Sequence, residues 1–438
     1  MKTLIQGVTL VNEGCSYKGS LLIQDGYIAE VKRGDIVDTK VDEVVDAEGC
    51  YLLPGVIDDH VHMREPGMTH KANMQSETRA AVAGGVTSVM DMPNVVPQTT
   101  SLQLLDERYR MAAGRCHANY AFYLGATNDN IVEVQRVDTS RVPGIKVFMG
   151  SSTGNMLVDD ECRLADLFRL SPTLLMTHCE DTARINANAA AIRQQYGDDP
   201  DVSLHPAIRD REACLRSTQL AVQLAQETGA RLHVAHLTTA DELALFQPLH
   251  ERITAEACVA HLLYTDADYA RLGTRIKCNP SIKTDADRQA LRQALTDGRI
   301  RVVGTDHAPH LLSEKAGGAL KAVSGMPMVQ FSLPSMLGLA SEGVLSVEQV
   351  VQLMCHNPAE LFHVNGRGYL REGCHADLAL VRREAWSVTT DCIQSLCGWS
   401  PREGDTLPWR VASTWVNGHL AWDGKHVLEQ KGEALRFA

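Results

Sequence analysis

Two histidines one residue apart, in Asp58-Asp59-His60-Val61-His62, follow directly on the apolar run Tyr51 to Ile57. In an extended strand alternate side chains point to the same side, so both imidazoles can grip one cation. Four further residues stand at the ends or inside of other apolar, strand-like runs. They are Lys146 in Gly144-Ile145-Lys146-Val147-Phe148-Met149, His178 after Leu174-Leu175-Met176-Thr177, His236 after Leu232-His233-Val234-Ala235, and Asp306 after Val302-Val303-Gly304-Thr305. Any one alone could be a capped or core side chain. Together they supply imidazole and carboxylate, the donors that suit zinc, and zinc brings the pKa of bound water down to near 7. Lys146 is the odd member, because an ordinary ammonium with a reference pKa of about 10.4 repels a cation. An inward-facing lysine paired with a carboxylate is the alternative reading for it.

The elements that must carry these residues can be counted. Strand-like runs at 56–60, 86–92, 118–124, 144–149, 173–178, 231–236, 253–258 and 302–306 make eight, mostly separated by stretches able to form helices. Cys214 to Glu227 is one, with Leu220, Ala221, Leu224 and Ala225 on one stripe and Gly229 as its stop. Alternating strands and helices with apolar strands predict a parallel sheet, and eight units predict an α/β (β/α)8 TIM-like barrel. In that fold active sites lie at the strand C-termini, where all the candidate ligands fall. A chain of 438 residues exceeds what one core usually supports. Short strands with turn signals at Gln24-Asp25-Gly26 and Glu48-Gly49 open the chain, and Asn417-Gly418 and Asp423-Gly424 mark the same pattern near its end. Between them a helix opens at Ser346 with Gln349 three residues on, a capping box, and Val347, Val350, Val351 and Met354 on one face. The expected division is a barrel over 54–365 and a small β-sandwich domain assembled from 1–53 and 366–438.

A net charge of −12 without a basic run argues against nucleic acid or an anionic membrane as partner. No basic-then-apolar leader opens the chain and no 18-residue apolar stretch occurs, which predicts a cytoplasmic protein, neither exported nor membrane-spanning. Twelve cysteines, none in a Cys-x-x-Cys pair, read as reduced thiols of the core, Cys179 beside His178 included. The remaining histidines, among them His70, His233 and His261, show no ligand spacing and read as structural, with His307 supporting its neighbour. Gly317-Gly318 suggests either a mobile loop after Asp306 that could close over a substrate or an ordinary surface loop.

The order of His-x-His, lysine, histidine, histidine and aspartate over successive strands resembles the amidohydrolase superfamily. Within it, His62-Met63-Arg64-Glu65-Pro66-Gly67, Asp91-Met92-Pro93-Asn94 and Asp306-His307-Ala308-Pro309-His310 are similar to the dihydroorotase family, as are residues 144–155 and His205-Pro206-Ala207-Ile208-Arg209. The resemblance covers essentially the whole chain and implies two divalent metal ions, zinc expected. His60, His62 and Asp306 would hold one, His178 and His236 the other, with Lys146 carboxylated to a carbamate that bridges them. Asp306 would also be the catalytic general acid/base, taking the proton of the attacking hydroxide and passing it to the leaving nitrogen. The implied reaction is reversible cyclisation of N-carbamoyl-L-aspartate to L-dihydroorotate in pyrimidine biosynthesis. The alternatives are an allantoinase or hydantoinase-type reaction, or a relative without catalysis. Arg64, Asn94 and His310 would meet the ring carboxylate of a small-molecule substrate, and Asn279 the ring amide. A rim ion pair of Arg64 with Glu65 or Asp59 is the competing reading. The chain departs from the family pattern at Ser281-Ile282-Lys283 and after Pro327. A homo-oligomer is compatible with the sequence, which says nothing of an association with aspartate transcarbamoylase.

Overall fold

A computed structural model describes residues 1–37, 40–150, 156–428 and 432–438. The last part of the 144–155 stretch, residues 151–155, lies outside the described residues. The chain begins with five strands, β1 (Lys2–Asn12), β2 (Cys15–Gln24), β3 (Tyr27–Arg33), β4 (Glu43–Asp46) and β5 (Cys50–Pro54). Nine more follow: β6 (Val56–Val61), β7 (Val86–Asp91), β8 (Asn119–Phe122), β9 (Leu124–Gly125), β10 (Ile145–Phe148), β11 (Leu175–His178), β12 (Leu232–Val234), β13 (Ile253–Cys258) and β14 (Val302–Gly304). The last three are β15 (Leu378–Ser387), β16 (Thr406–Val416) and β17 (His419–Trp422).

Strands β6 to β14 form the expected barrel. Every pairing in it is parallel, and each of these strands is buried along its whole length, as a sheet covered by helices outside and filled by side chains inside requires. The run read as 118–124 is one bent strand, β8 pairing with β7 and β9 with β10. The ring closes between β14 and β6, where Thr305 Oγ1 donates to Asp58 Oδ2 at 2.6 Å and His62 N to His307 O at 2.7 Å.

The helix read from Cys214 spans Arg211–Thr228, capped by Asp210 and stopped by Gly229 in the left-handed region. Its buried face differs from the stripe expected: Cys214, Ser217, Thr218, Ala221, Val222 and Ala225 face the barrel, while Leu220 is exposed. Small residues let the helix lie close to the sheet, and that selected the face over bulk hydrophobicity. The capping box at Ser346 and Gln349 is present, and Val350, Val351 and Met354 are buried behind it.

Both chain ends contribute to one eight-stranded, mostly antiparallel sheet in the order β17-β16-β15-β5-β1-β2-β3, with β4 on β1. It curls on itself, so Ile5, Leu21, Ile28, Leu52, Leu380 and Trp415 share one core. The two hairpin turns meet at Gly418, where a Cβ would come within 2.6 Å of Gly26 Cα. Both turns take positive φ, at Asp25-Gly26 and at Asn417-Gly418, as tight two-residue hairpins demand. A buried network of Asn119, Arg367, Asp377 and Asn417 fastens this sheet to the barrel, and residues 432–438 run back along β8. No helix of the described residues is long and apolar enough to cross a membrane. All twelve cysteines are unpaired, and burial pushes the Cys179 thiol up to about 12.

Candidate active site

The C-terminal ends of the barrel strands surround a cavity of about 300 Å³, lined among others by His60, His62, Arg64, Asn94, Lys146, His178, His236, Asn279, Asp306 and His310. Every site residue expected from the sequence thus borders one space. One nitrogen of His60, one of His62 and one oxygen of Asp306 lie within 4.8 Å of one another. His62 Nε2 is 2.9 Å and His60 Nε2 3.4 Å from Asp306 Oδ1. On the other side of the cavity His178 Nδ1 lies 2.9 Å from His236 Nε2.

The tautomers follow from the partners of the opposite nitrogens. His62 Nδ1–H donates to Asn94 Oδ1 at 2.8 Å, His60 Nδ1–H to the Glu256 carboxylate at 3.1 Å, and His178 Nε2–H to Glu180 Oε2 at 2.9 Å. Each imidazole therefore turns a bare lone pair inward. Lone pairs converging on a carboxylate oxygen repel without a cation between them, and the facing nitrogens of His178 and His236 are a hydrogen bond if His236 carries its proton on Nε2 and a pair of donors to a cation if it carries it on Nδ1. With cations there the same arrangement is a set of ligands, of which His60, His62 and His178 are oriented from behind by a hydrogen bond. The donor set fits the metals that the resemblance implies.

Lys146 lies at the base of this space, fully buried, and its Nζ has no hydrogen-bond partner among the described residues. Burial lowers its pKa, so the neutral amine is easier to reach than in water. The carboxylate-paired lysine considered as an alternative is not found. Burial would raise the Asp306 carboxyl, but the neighbouring His60 and His62 hold it well below the usual carboxylate range; without a cation that pull needs a proton on their inward nitrogens, the charge that a bound cation would otherwise supply. It is therefore an anion, with one oxygen turned to the imidazoles.

Arg64 is buried, with Nε donating to Pro309 O at 3.1 Å and Nη2 lying 2.9 Å from His310 Nε2. The rim ion pair does not form: Glu65 is paired with Arg115, and Asp59 faces His233. Asn94 does more than line the cavity, since its carbonyl orients His62. The Asn279 side-chain oxygen is buried without a partner. His307 supports the site as expected, its Nε2–H donating to Glu77 at 2.7 Å and its Nδ1 accepting from Met328 N and Val329 N.

Several residues at this site went unnoticed in the sequence. Glu256 orients His60 and accepts from His236 N at 3.2 Å; a lone acid inside the apolar run Ile253 to Cys258 was its visible signal. Glu180 backs His178 and is paired with Arg209; burial would raise it, but Arg209 and His178 bring it down to about 2. Lys71, buried beside His310, had no signal at all. The loop containing Gly317-Gly318 is tied down: Gly318 N donates to Asp199 Oδ1 at 2.9 Å, and the buried Lys315 ammonium donates to the carbonyls of Lys277, Val323 and Gly325.

A model of the Amidohydrolase family matches residues 51–420. A dihydroorotase of Halobacterium salinarum is 36% identical over 428 residues, 95% of this chain and 98% of its own length. An allantoinase of Rubrobacter xylanophilus is 31% identical over 99% of this chain and 96% of its own. Among solved structures, an L-hydantoinase (dihydropyrimidinase) from Arthrobacter aurescens superposes with a TM-score of 0.94 at 26% identity, covering 99% of both chains.

Proposed function

The chain belongs to the amidohydrolase family, as a hydrolase of cyclic amide C–N bonds, and we propose that its reaction is that of a dihydroorotase. One observation carries the choice within the family: the buried Arg64 guanidinium, beside His310, borders the cavity and makes no ion pair among the described residues. A buried cation without an acid is costly, and the arrangement is understandable where the substrate brings the anion. Dihydroorotate carries a ring carboxylate in addition to its scissile amide. Hydantoins, dihydropyrimidines and allantoin carry none on the ring, and give Arg64 nothing to meet.

His60, His62 and Asp306 on one side and His178 and His236 on the other would hold two divalent cations, zinc by donor type, with Lys146 carboxylated between them. When bound, such ions activate water at neutral pH and polarise the amide carbonyl. The protein's own groups do the rest. Asp306 takes the proton of the attacking water and delivers it to the ring nitrogen as that bond breaks; in the cyclising direction it takes the proton from the ureido nitrogen. Arg64, Asn94 and His310 hold the carboxylate, and Asn279 turns its unpartnered amide oxygen to a ring N–H. The carboxylate of dihydroorotate is borne on a ring carbon other than the reacting carbonyl carbon, so these residues would orient the ring more than they move electrons.

Dihydroorotate, allantoin, a hydantoin and dihydrouracil, each offered to metal-replete protein, test the reading. Turnover of dihydroorotate at a kcat/KM well above the other three is expected. Activity on allantoin or a hydantoin with none on dihydroorotate would pass the function to the neutral-ring alternative, which the allantoinase and hydantoinase relatives keep in view.

A further inference from the structure

His310 is placed between two groups that can only donate. Its Nε2 lies 2.9 Å from Arg64 Nη2, and its Nδ1 lies 3.2 Å from the Lys71 ammonium. A guanidinium and an ammonium have no acceptor, while a neutral imidazole has one donor and one acceptor nitrogen. Only one of the two contacts can therefore be a hydrogen bond. The other sets donor against donor, and it is relieved when an acceptor enters. The imidazole is neutral here, because burial, Arg64 and Lys71 all oppose a charge on it.

Lys71 is the better-anchored of the two donors. Its Nζ donates to Glu314 Oε1 at 2.9 Å, and Glu314 is itself fixed by Leu311 N at 2.8 Å to Oε2. Trp399 Nε1 holds the His310 carbonyl at 2.7 Å, so the imidazole cannot slide away from the lysine. Arg64 has a second outlet through Pro309 O. The competing donor arrangement, His310 Nδ1–H to Glu314 Oε2, spans 3.6 Å and is too long for a hydrogen bond.

We infer that Lys71, held by Glu314, is a positioning residue that fixes His310 as the Nε2–H tautomer, so that Nε2–H and the Arg64 guanidinium together face the substrate's carboxylate. This rests on the dihydroorotase reading for the identity of the anion, and on the free protein alone for the tautomer. The carboxylate then meets two neighbouring donors. In charge, Lys71 and Glu314 cancel, and Arg64 is the guanidinium left to meet the incoming anion.

The test uses zinc-loaded, full-length protein with 15N-labelled histidine, the His310 signals being assigned by their loss in His310→Gln. Long-range 1H–15N correlation of the wild type is expected to show His310 protonated at Nε2 and bare at Nδ1. In Lys71→Met the Nδ1–H form should appear, and KM for dihydroorotate should rise about 10-fold with kcat nearly unchanged, the loss of one oriented charge-assisted contact. Lys71→Arg should keep the wild-type tautomer and most of the affinity, and KM for dihydrouracil should not move in any variant. A wild-type His310 protonated at Nδ1, or a tautomer unchanged in Lys71→Met, overturns the inference. The wild-type spectrum decides even if Lys71→Met fails to fold. Should the wild type not turn over dihydroorotate, the functional reading fails, while the spectrum still judges Lys71.

Discussion

Replacing Arg64 with methionine separates the carboxylate subsite from the hydrolytic centre. Methionine is similar in length and equally unbranched at Cβ, so it meets the positive φ of 64° at this position no worse than arginine does. The guanidinium makes one bond to a carbonyl and one contact to an imidazole, and removing it also removes an uncompensated buried charge. Those two effects oppose each other, and stability should change by no more than about 1 kcal/mol. Binding is different. A charged hydrogen bond to the carboxylate contributes about 1.5–3 kcal/mol, and at 1.4 kcal/mol per decade its loss lowers kcat/KM for dihydroorotate by about 10- to 150-fold. Most of this should appear in KM, since the carboxylate is held alike before and during the reaction. Steady-state hydrolysis followed by absorbance, run beside dihydrouracil and with metal content measured on the same samples, reads all three quantities. Equal losses on both substrates, or loss of metal, would refute the reasoning and return Arg64 to a structural role.

Metal-replete protein should carry close to two divalent ions per chain by elemental analysis; Lys146→Ala should lose the pair and most activity, with partial return in added small carboxylic acids, whereas full activity in chelated wild type would exclude the mechanism. Asp306→Asn keeps the shape but not the basic oxygen, and kcat should fall by about 10²-fold or more in both directions while the thermal transition stays in place; turnover within a few-fold of wild type would mean that another group moves the proton. Glu256→Gln leaves an acceptor for His60 Nδ1–H but weakens it, so metal affinity should drop about 10- to 100-fold in a chelator competition with little change in circular dichroism. An unaltered affinity would reduce Glu256 to a packing residue.

The barrel was legible because its strands are apolar runs of regular spacing, and the candidate ligands because all but Lys146, which lies inside β10, sit at or near the end of such a run. The face of the Arg211–Thr228 helix was misread since periodicity weighs size, whereas a helix against a sheet selects small residues such as Ser217 and Ala221. The supporting groups were hidden for another reason. Glu180 stands two residues from the His178 it backs, but its burial and its pairing with Arg209 are not local, and Glu256 and Lys71 act through partners distant in sequence, Lys71 on His310 across 239 positions and Glu256 on His60 across 196. No local pattern encodes such a meeting. The Gly317-Gly318 stretch left a mobile loop and an ordinary surface loop both open, because glycine signals freedom in the chain and not the contacts it makes, here to Asp199 and through the three carbonyls around Lys315.

Those hidden partners also explain how the site holds its shape. Arg64, His236 and Asp306 all lie at positive φ, 64°, 39° and 47°, an arrangement costing about 1–3 kcal/mol per residue that persists only where the surroundings enforce it. Buried carboxylates flank each of the three. Before Arg64, Met63 N donates to Asp91 at 2.8 Å, and after it Glu65 is paired with Arg115. His236 N itself donates to Glu256. Before Asp306, Thr305 is bonded twice to Asp58, and after it His307 is bonded to Glu77. The chain thus turns sharply at the strand ends, throwing three functional side chains into one cavity, because the residues beside them are fastened to acids that water does not reach. Burial strengthens those bonds and penalises their loss, so the acids that look out of place in apolar segments are what keeps the strained backbone from relaxing.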